Sequence, residues 1–132
     1  DITIATGAGS IRARGQMGNL SDFIIVADLR PVTQVVQQKA QKLEAMLDQF
    51  ASQIAPELLV ALQRSIDSVR TDVVAGRYKA ALAELKQTQL LISNAGAGEL
   101  PDVWRSARDI DNVAGMLAAA SETLAYSLRL AL

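Results

Sequence analysis

The sequence contains no cysteine and no histidine, and its aromatic residues are limited to two phenylalanines, two tyrosines and one tryptophan. The lack of cysteine excludes disulfides, thiolate nucleophiles and cysteine-ligated metal sites. The lack of histidine removes the commonest metal ligand and the usual general base near neutral pH. Half of the residues are nevertheless apolar, so alanine, leucine and valine must form the core. We therefore expect a protein that is not an enzyme and that uses no metal or other cofactor.

An excess of charge of one sign and a long apolar run are also missing. The formal net charge is −1, from 13 basic and 14 acidic residues, and no segment between the helix boundaries predicted below carries more than two excess charges. A nucleic-acid-binding protein normally concentrates lysine and arginine on one face and offers aromatic side chains for stacking, so we expect no nucleic-acid partner. The longest relevant apolar run, Val113–Ala120, is far shorter than the ~20 residues that span a bilayer.

The length suits one domain of ordinary size. The chain begins at Asp1 rather than at methionine, from which we expect that a signal peptide, a transit peptide or flanking sequence has been removed. The absence of cysteine and the abundance of alanine and glutamine favour an exported protein. The predicted compartment is a bacterial periplasm or a thylakoid lumen.

Residues 1–31 form an arm that differs in composition from the rest of the chain. Four of the eight glycines fall in its first 18 positions, and apolar residues alternate there with polar ones. This period of two predicts short strands or extended segments. The start of the arm resembles a dinucleotide-binding glycine loop, but Arg12 occupies the position of the third glycine and no βαβ unit follows. A turn or a flexible arm is the better interpretation.

From Val32 onward the apolar residues recur with a helical period. The pattern predicts four helices, at about 32–54, 56–75, 77–93 and 102–131, with Pro56 as the first residue of the second helix. The apolar side chains of each helix fall on one face, as in a helical bundle. The predicted fold class is therefore all-α: an up-and-down four-helix bundle over residues 32–132, with an extended or partly β N-terminal arm over residues 1–31.

The boundary between the second and third helices depends on one glycine. Apolar residues of the second helix step by three and four as far as Val73, and the next apolar stripe begins out of phase at Tyr78. This break predicts a helix end at Gly76, with the glycine in the left-handed conformation. A continuous helix over 56–93 is the alternative, because glycine inside a helix costs only ~1 kcal/mol relative to alanine.

Acidic residues of the last predicted helix raise the question of a metal site. Asp109 and Asp111 lie two positions apart, so on a helix they point about 200° away from each other and cannot share an ion. We expect them to be solvated carboxylates. Glu84 and other acidic residues are likewise predicted to be exposed, and no apolar pocket for a carboxylate pair is indicated.

Serines near lysines raise a second possibility. Ser65 and Ser68 lie within reach of Lys79 or Lys86 in a helical hairpin, which suggests a Ser–Lys dyad. No Ser-x-x-Lys spacing, nucleophile elbow or glycine-rich oxyanion turn supports it. We expect ordinary surface serines.

The best candidates for contact with a partner protein lie mainly in the arm. The run from Phe23 through Ile24 and Ile25 to Ala27 is β-prone and apolar throughout, and it must be buried either on the bundle or on a partner. Trp104 lies one residue off the apolar seam of the last helix and is either packed in the core or an anchor for a partner. The predicted partner-binding residues are Arg12, Arg14, Phe23, Ile24, Ile25 and Trp104.

Two short stretches carry a family resemblance. The sequence from Val73 to Leu82, VVAGRYKAAL, and the sequence from Asp109 to Ala114, DIDNVA, resemble segments of the PsbQ family of extrinsic lumenal subunits of photosystem II. The resemblance implies a four-helix bundle whose extended N-terminal arm docks on a membrane complex. It covers about 20 residues, and the first motif is shared with helix turns of tetratricopeptide repeats. The missing N-terminal cysteine departs from the lipidated members.

The sequence therefore predicts a non-enzymatic accessory or assembly subunit that binds a larger protein complex through its arm. The alternative, from a different functional class, is an exported bundle that holds a small apolar ligand between its helices, which would need a cavity of several hundred Å3.

Overall fold

The computed structural model describes residues 29–96, 98–102 and 111–132, together with the backbone of residues 3–7 and 10–14. Within these residues the chain forms two strands and four α-helices: β1 (Thr3–Gly7), β2 (Ser10–Arg14), α1 (Val32–Phe50), α2 (Pro56–Val74), α3 (Tyr78–Asn94) and α4 (Val113–Leu130). The predicted all-α four-helix bundle with a partly β arm is confirmed.

The two strands of the arm pair with each other in an antiparallel hairpin. The register places Thr3 opposite Arg14 and Gly7 opposite Ser10. The alternating segments at the start of the chain therefore form two paired strands, as their period of two predicts. A strand at Ser10–Arg14 differs from a dinucleotide-binding loop, which would lead into a helix. The predicted turn between the two strands lies outside the described residues.

The connection between α1 and α2 is tight and partly helical. Helix α1 ends at Phe50, four residues before the predicted boundary, and a single 3-10 turn spans Ala51–Gln53. Ile54 is buried behind this turn, and Pro56 opens α2 as predicted. A proline is tolerated there because the first N–H groups of a helix have no intrahelical acceptor.

Helix α2 ends at the predicted glycine. Gly76 has a φ of 71°, and its N–H donates to the Val73 carbonyl at 3.1 Å while the Arg77 N–H donates to the Asp72 carbonyl at 2.8 Å. These two bonds form a Schellman motif, which satisfies carbonyls that the helix end leaves without partners. The prediction of a helix end at Gly76 is confirmed, and the continuous helix over 56–93 is wrong.

The start of the last helix differs from the prediction. Helix α4 begins at Val113 rather than near Asp102, because Asn112 has non-helical dihedral angles and its side-chain oxygen accepts the Gly115 N–H at 2.8 Å. An Asn side chain in this position caps a helix and competes with its continuation. The Ala114 N–H donates to the Pro101 carbonyl at 2.9 Å, so the start of α4 lies beside Pro101. Residues 103–110 of the predicted helix lie outside the described residues. The predicted span of 102–131 therefore shortens to 18 residues, about 27 Å.

Each helix packs against the next one in the sequence, and α4 also packs against α1. Short connections make α1, α2 and α3 successively antiparallel, and hydrogen bonds from Lys39 to the Thr123 carbonyl and from Gln89 to Glu122 align α4 with α1 and α3. Helices α1 and α3 therefore begin at the end of the bundle where α2 and α4 finish. We call this the arm end, because the arm joins the bundle there, and we call the opposite end the loop end. The core between the helices is filled mainly by fully buried branched aliphatic side chains, including Val36, Leu43, Leu62, Leu85, Leu117 and Leu124.

The loop end is closed by a residue outside the helices. Leu100 is 1% exposed, and the preceding residue, Glu99, accepts the Ala55 N–H on its main-chain oxygen at 2.8 Å. The α3–α4 connection thus fills the space above the core and ties itself to the α1–α2 connection. In the described part of the chain, no helix combines the length and the apolar content required to cross a membrane.

Candidate functional site

A small polar cluster lies buried between α2 and α3. The Ser65 hydroxyl donates to Glu84 Oε1 at 2.8 Å, and the oxygens of Ser65 and Thr88 are 2.9 Å apart. Ser65 is 5% exposed, Thr88 is fully buried and Glu84 is half-buried. The expected surface position of Ser65 and the expected exposure of Glu84 are therefore wrong, because both residues lie on the faces that the α2–α3 hairpin brings together.

This cluster links α2 to α3. The Ser65 hydroxyl donates a hydrogen bond to the Glu84 carboxylate, and its oxygen faces the Thr88 hydroxyl. The lysines considered as partners, Lys79 and Lys86, are exposed, and Ser68 is exposed as predicted. Buried polar groups that satisfy each other in this way specify how two helices align.

Among the residues that the structure describes, no group of three or more histidine, cysteine, aspartate or glutamate residues could hold a metal ion. Asp111 is exposed and accepts a hydrogen bond from Gln53 Nε2 at 3.3 Å. Asp109 lies outside the described residues.

An open groove of about 410 Å3 lies at the loop end between α2 and α3. Its apolar lining comes from Leu58, Leu90, Leu91 and Ala95. Its polar lining comes from Gln87, Asn94 and Glu99. The groove is a surface feature, whereas the ligand alternative requires a cavity enclosed between the helices.

Exposed large apolar side chains gather at the arm end. Seven such residues are exposed in the described part of the chain. Two of them, Val60 and Leu90, lie elsewhere, and the remaining five belong to the residues where α1 begins and where α2 and α4 finish. These five, which we call the arm-end surface, are Leu29, Val32, Val74, Leu130 and Leu132.

The exposure of this surface is large. Leu29 is 92% exposed and Val74 is 71% exposed, whereas the neighbouring Val73 is 1% exposed. Single exposed aliphatic residues are common on proteins, but a concentration of them marks an interaction surface. The arm, which contains the predicted partner-binding run, joins the bundle at the same end.

The described charges are also divided between the two ends. Among the described residues, the arm end carries one acidic residue, Asp72, which is paired with Arg77 at 2.7 Å; Asp28, which precedes Leu29, lies outside them. The described basic residues of this end are Arg30, Arg70, Arg77, Lys79 and Arg129, of which Arg70 is paired with Glu44 at 3.5 Å. The described charges at the loop end are all acidic: Asp48, Glu57, Glu99, Asp102 and Asp111. The stretch 103–110, outside the described residues, adds Arg105, Arg108 and Asp109 to the chain.

Counting charge by sequence segment hides this division. Every helix of an up-and-down bundle runs from one end to the other, so the basic end of one helix cancels its own acidic end in the count. The last helix illustrates this, with Asp111 just before α4 at the loop end and Arg129 in its last turn at the arm end. Grouping residues by predicted helix end would have revealed the division.

The predicted partner-binding residues are only partly placed by the structure. Arg12 and Arg14 both lie on β2, where their backbones pair with Ala5 and Thr3. The others, Phe23, Ile24, Ile25 and Trp104, lie outside the described residues. Tyr78, where the second apolar stripe begins, is half-buried against the core.

The arm, the bundle and the α3–α4 connection occur together in one family. No curated protein and no solved structure matches the chain. A match to the family described as "Family of unknown function (DUF6689)" covers residues 1–131, which is nearly the whole sequence. The chain belongs to the DUF6689 family.

Proposed function

We propose that this protein is a non-enzymatic docking subunit that attaches to a larger protein complex by its arm end. The observation that carries the proposal is the concentration of Leu29, Val32, Val74, Leu130 and Leu132 on the surface at the end where the arm joins. Burying apolar surface is the main favourable contribution to most protein association. The four helices already supply one another with a core, so these side chains remain available for a partner.

The arm adds further surface to the contact between the arm-end surface and the partner. Its β1–β2 hairpin leaves the outer edge of each strand without a described partner strand, and strand edges pair readily with other chains. The apolar run 23–27 lies between this hairpin and Leu29. We infer that the hairpin, the run and the arm-end surface meet the partner together. An extrinsic subunit of the PsbQ type would use its arm in this way, and that resemblance stays a prediction.

A photo-crosslinking amino acid at Val74 tests the proposal in the native source. Val60 is the matched control, because it lies on the same helix, is the same residue type and is 53% exposed against 71% for Val74. We expect a small set of proteins to crosslink from position 74 and to be absent from position 60. The same set of crosslinked proteins from both positions would refute docking by the arm end.

Removal of residues 1–30 gives a second test. The described core comes from residues 36–131, so we expect the shortened chain to unfold cooperatively while it loses the crosslinks from position 74. Loss of the thermal transition would instead show that the arm belongs to the core.

The groove at the loop end favours one other function. Its volume of about 410 Å3 lies within the usual range for small-ligand sites, although it is open to solvent and would cover a ligand on one side only. Native mass spectrometry of the protein from its source tests this function. A retained small molecule that is lost in a Leu90→Ser variant would support it.

A further inference from the structure

We propose that copies of this chain associate head to tail, with the arm end of one copy seated in the loop-end groove of the next. Two independent features point to this arrangement. The first is the division of described charge, with a basic arm end and an acidic loop end about 28 Å apart, the length of the 19-residue α1. The second is that each end offers apolar surface to the other.

The groove is the receiving surface. Leu90 is 51% exposed within it, and Leu58 and Leu91 are half-buried beside it. One acidic residue, Glu99, lines the groove. Two further exposed acidic residues belong to the same end of the bundle: Glu57, next to Leu58 in the sequence, and Asp102, after the buried Leu100. The groove therefore fits a segment that presents apolar side chains next to positive charge.

The arm end presents such a segment. Helix α4 finishes with Arg129 and Leu130, followed by Ala131 and Leu132. Leu130 and Leu132 are 60% and 61% exposed, and Arg129 is exposed beside them. Lys79, in the first turn of α3, adds positive charge at the same end. In the proposed contact, Leu130 and Leu132 lie on the apolar floor of the groove. Arg129 and Lys79 face the acidic residues Glu57 and Asp102.

A second copy of the chain accounts for more of the described surface features than other possible partners do. An anionic lipid surface would match the basic arm end, but it would leave the acidic groove without a role. A copy of the chain accounts for both ends at once. It is also compatible with the proposed docking function, because a copy that is docked by its arm end leaves its loop end facing outward to receive the next copy.

The contact is heterologous, since different surfaces meet, so it does not close a pair of molecules as a two-fold interface would. We therefore expect a concentration-dependent series of species. Attraction between exposed charges is screened over about 30 Å at 0.01 M ionic strength and about 3 Å at 1 M. Association should be strongest at the lower ionic strength.

Complementary charge reversal tests the arrangement by sedimentation velocity. One variant reverses the arm end with Lys79→Glu and Arg129→Glu, and the other reverses the loop end with Glu57→Lys and Asp102→Lys. Each variant places charges of like sign on the two facing sides of the proposed contact, so each alone should sediment as a monomer under conditions where the unmodified chain associates. Mixing the two should restore association, because the intact arm end of one variant meets the intact loop end of the other.

Control variants separate this contact from general charge effects. Arg64→Glu changes one charge at an exposed position midway along α2 and should leave association unchanged. Leu90→Ser should weaken association at least several-fold, whereas Val60→Ser, which removes a similarly exposed side chain outside the groove, should not. Far-UV circular dichroism confirms that each variant is folded.

Several results would overturn the proposal. The unmodified chain could stay monomeric at low ionic strength and high concentration. The mixture of the two reversed variants could fail to associate. Association could also stop at a dimer and survive reversal of the loop end. Binding to vesicles of phosphatidylglycerol in place of self-association would assign the arm end to a lipid surface. None of these results affects crosslinking from Val74 to a partner, so the two proposals can fail separately.

Discussion

The buried hydroxyl pair between α2 and α3 predicts an asymmetry between two substitutions that look equivalent. Ser65→Ala removes the donor to Glu84 and the oxygen that faces Thr88. The fully buried Thr88 hydroxyl then keeps only the Glu84 main-chain oxygen as an acceptor, at 3.5 Å, which is the limit of a hydrogen bond. Thr88→Val removes one partner of Ser65 but leaves the serine bonded to the Glu84 carboxylate.

The expected free energies follow from these contacts. A buried hydrogen bond contributes about 1 kcal/mol, and an unsatisfied buried hydroxyl costs about 1–3 kcal/mol. After a gain of about 0.5 kcal/mol in helix propensity, Ser65→Ala should lower the free energy of unfolding by about 2 kcal/mol. Thr88→Val loses one bond but buries a further methyl group, worth about 0.8 kcal/mol, so its net effect should lie near zero.

The double variant distinguishes this reasoning from simple loss of packing. With both hydroxyls gone, no buried hydroxyl lacks a partner, so Ser65→Ala with Thr88→Val should be more stable than Ser65→Ala alone by about 1 kcal/mol. Urea unfolding followed by circular dichroism gives the three free energies. Ser68→Ala, an exposed serine on the same helix, is the control and should change stability by less than about 0.5 kcal/mol. Additive losses from Ser65 and Thr88 would refute the coupling.

Three further predictions concern the helix ends and the loop end. Gly76→Ala should lower the free energy of unfolding by about 1–2 kcal/mol. The cost is conformational, because φ is 71° and no atom lies within 4 Å of the added methyl group. Thermal unfolding measures this cost, and an unchanged midpoint would contradict it. Asn112→Ala should cost about 1 kcal/mol through loss of the α4 cap. In the Asn112→Ala variant, a second substitution, Gly115→Ala, should restore about 1 kcal/mol. In the unmodified chain the added methyl group would instead meet the Asn112 side chain at 2.8 Å. Equal effects of Gly115→Ala in both backgrounds would count against Asn112 as the cap of α4. Leu100→Ala should cost about 2–4 kcal/mol as a large-to-small change at a fully buried site, and a loss below 1 kcal/mol in urea unfolding would show that Leu100 does not close the core.

The helical period determined the fold class and most of the core. Of the apolar positions of α2 that step by three and four, Leu59 is half-buried, and the others, Leu62, Ile66, Val69 and Val73, are buried. The phase break that predicted the turn at Gly76 is equally local, because one glycine with positive φ decides it. Such features follow from neighbouring residues alone, since side chains three and four positions apart share one face of a helix.

Features that depend on which elements meet were not predictable in this way. In the sequence, apolar residues with helical spacing extend upstream of Val113 to Ile110 and beyond, yet α4 begins at Val113, because Asn112 caps it and Ala114 bonds to Pro101. Ser65 has the composition of a surface residue, and it is buried because α3 supplies Glu84 and Thr88 as partners.

The division of the surface into two ends has the same origin. By itself, the sequence determined that there are helices, which face of each is apolar, and where Gly76 interrupts them. Only the antiparallel packing decided that Val32, Val74 and Leu130, distant in sequence, occupy one end, and that Glu57 and Glu99 occupy the other. The physical reason is that the two ends of a helix lie about 25 Å apart. Packing between helices, and not the local order of residues, therefore determines which residues become neighbours at each end.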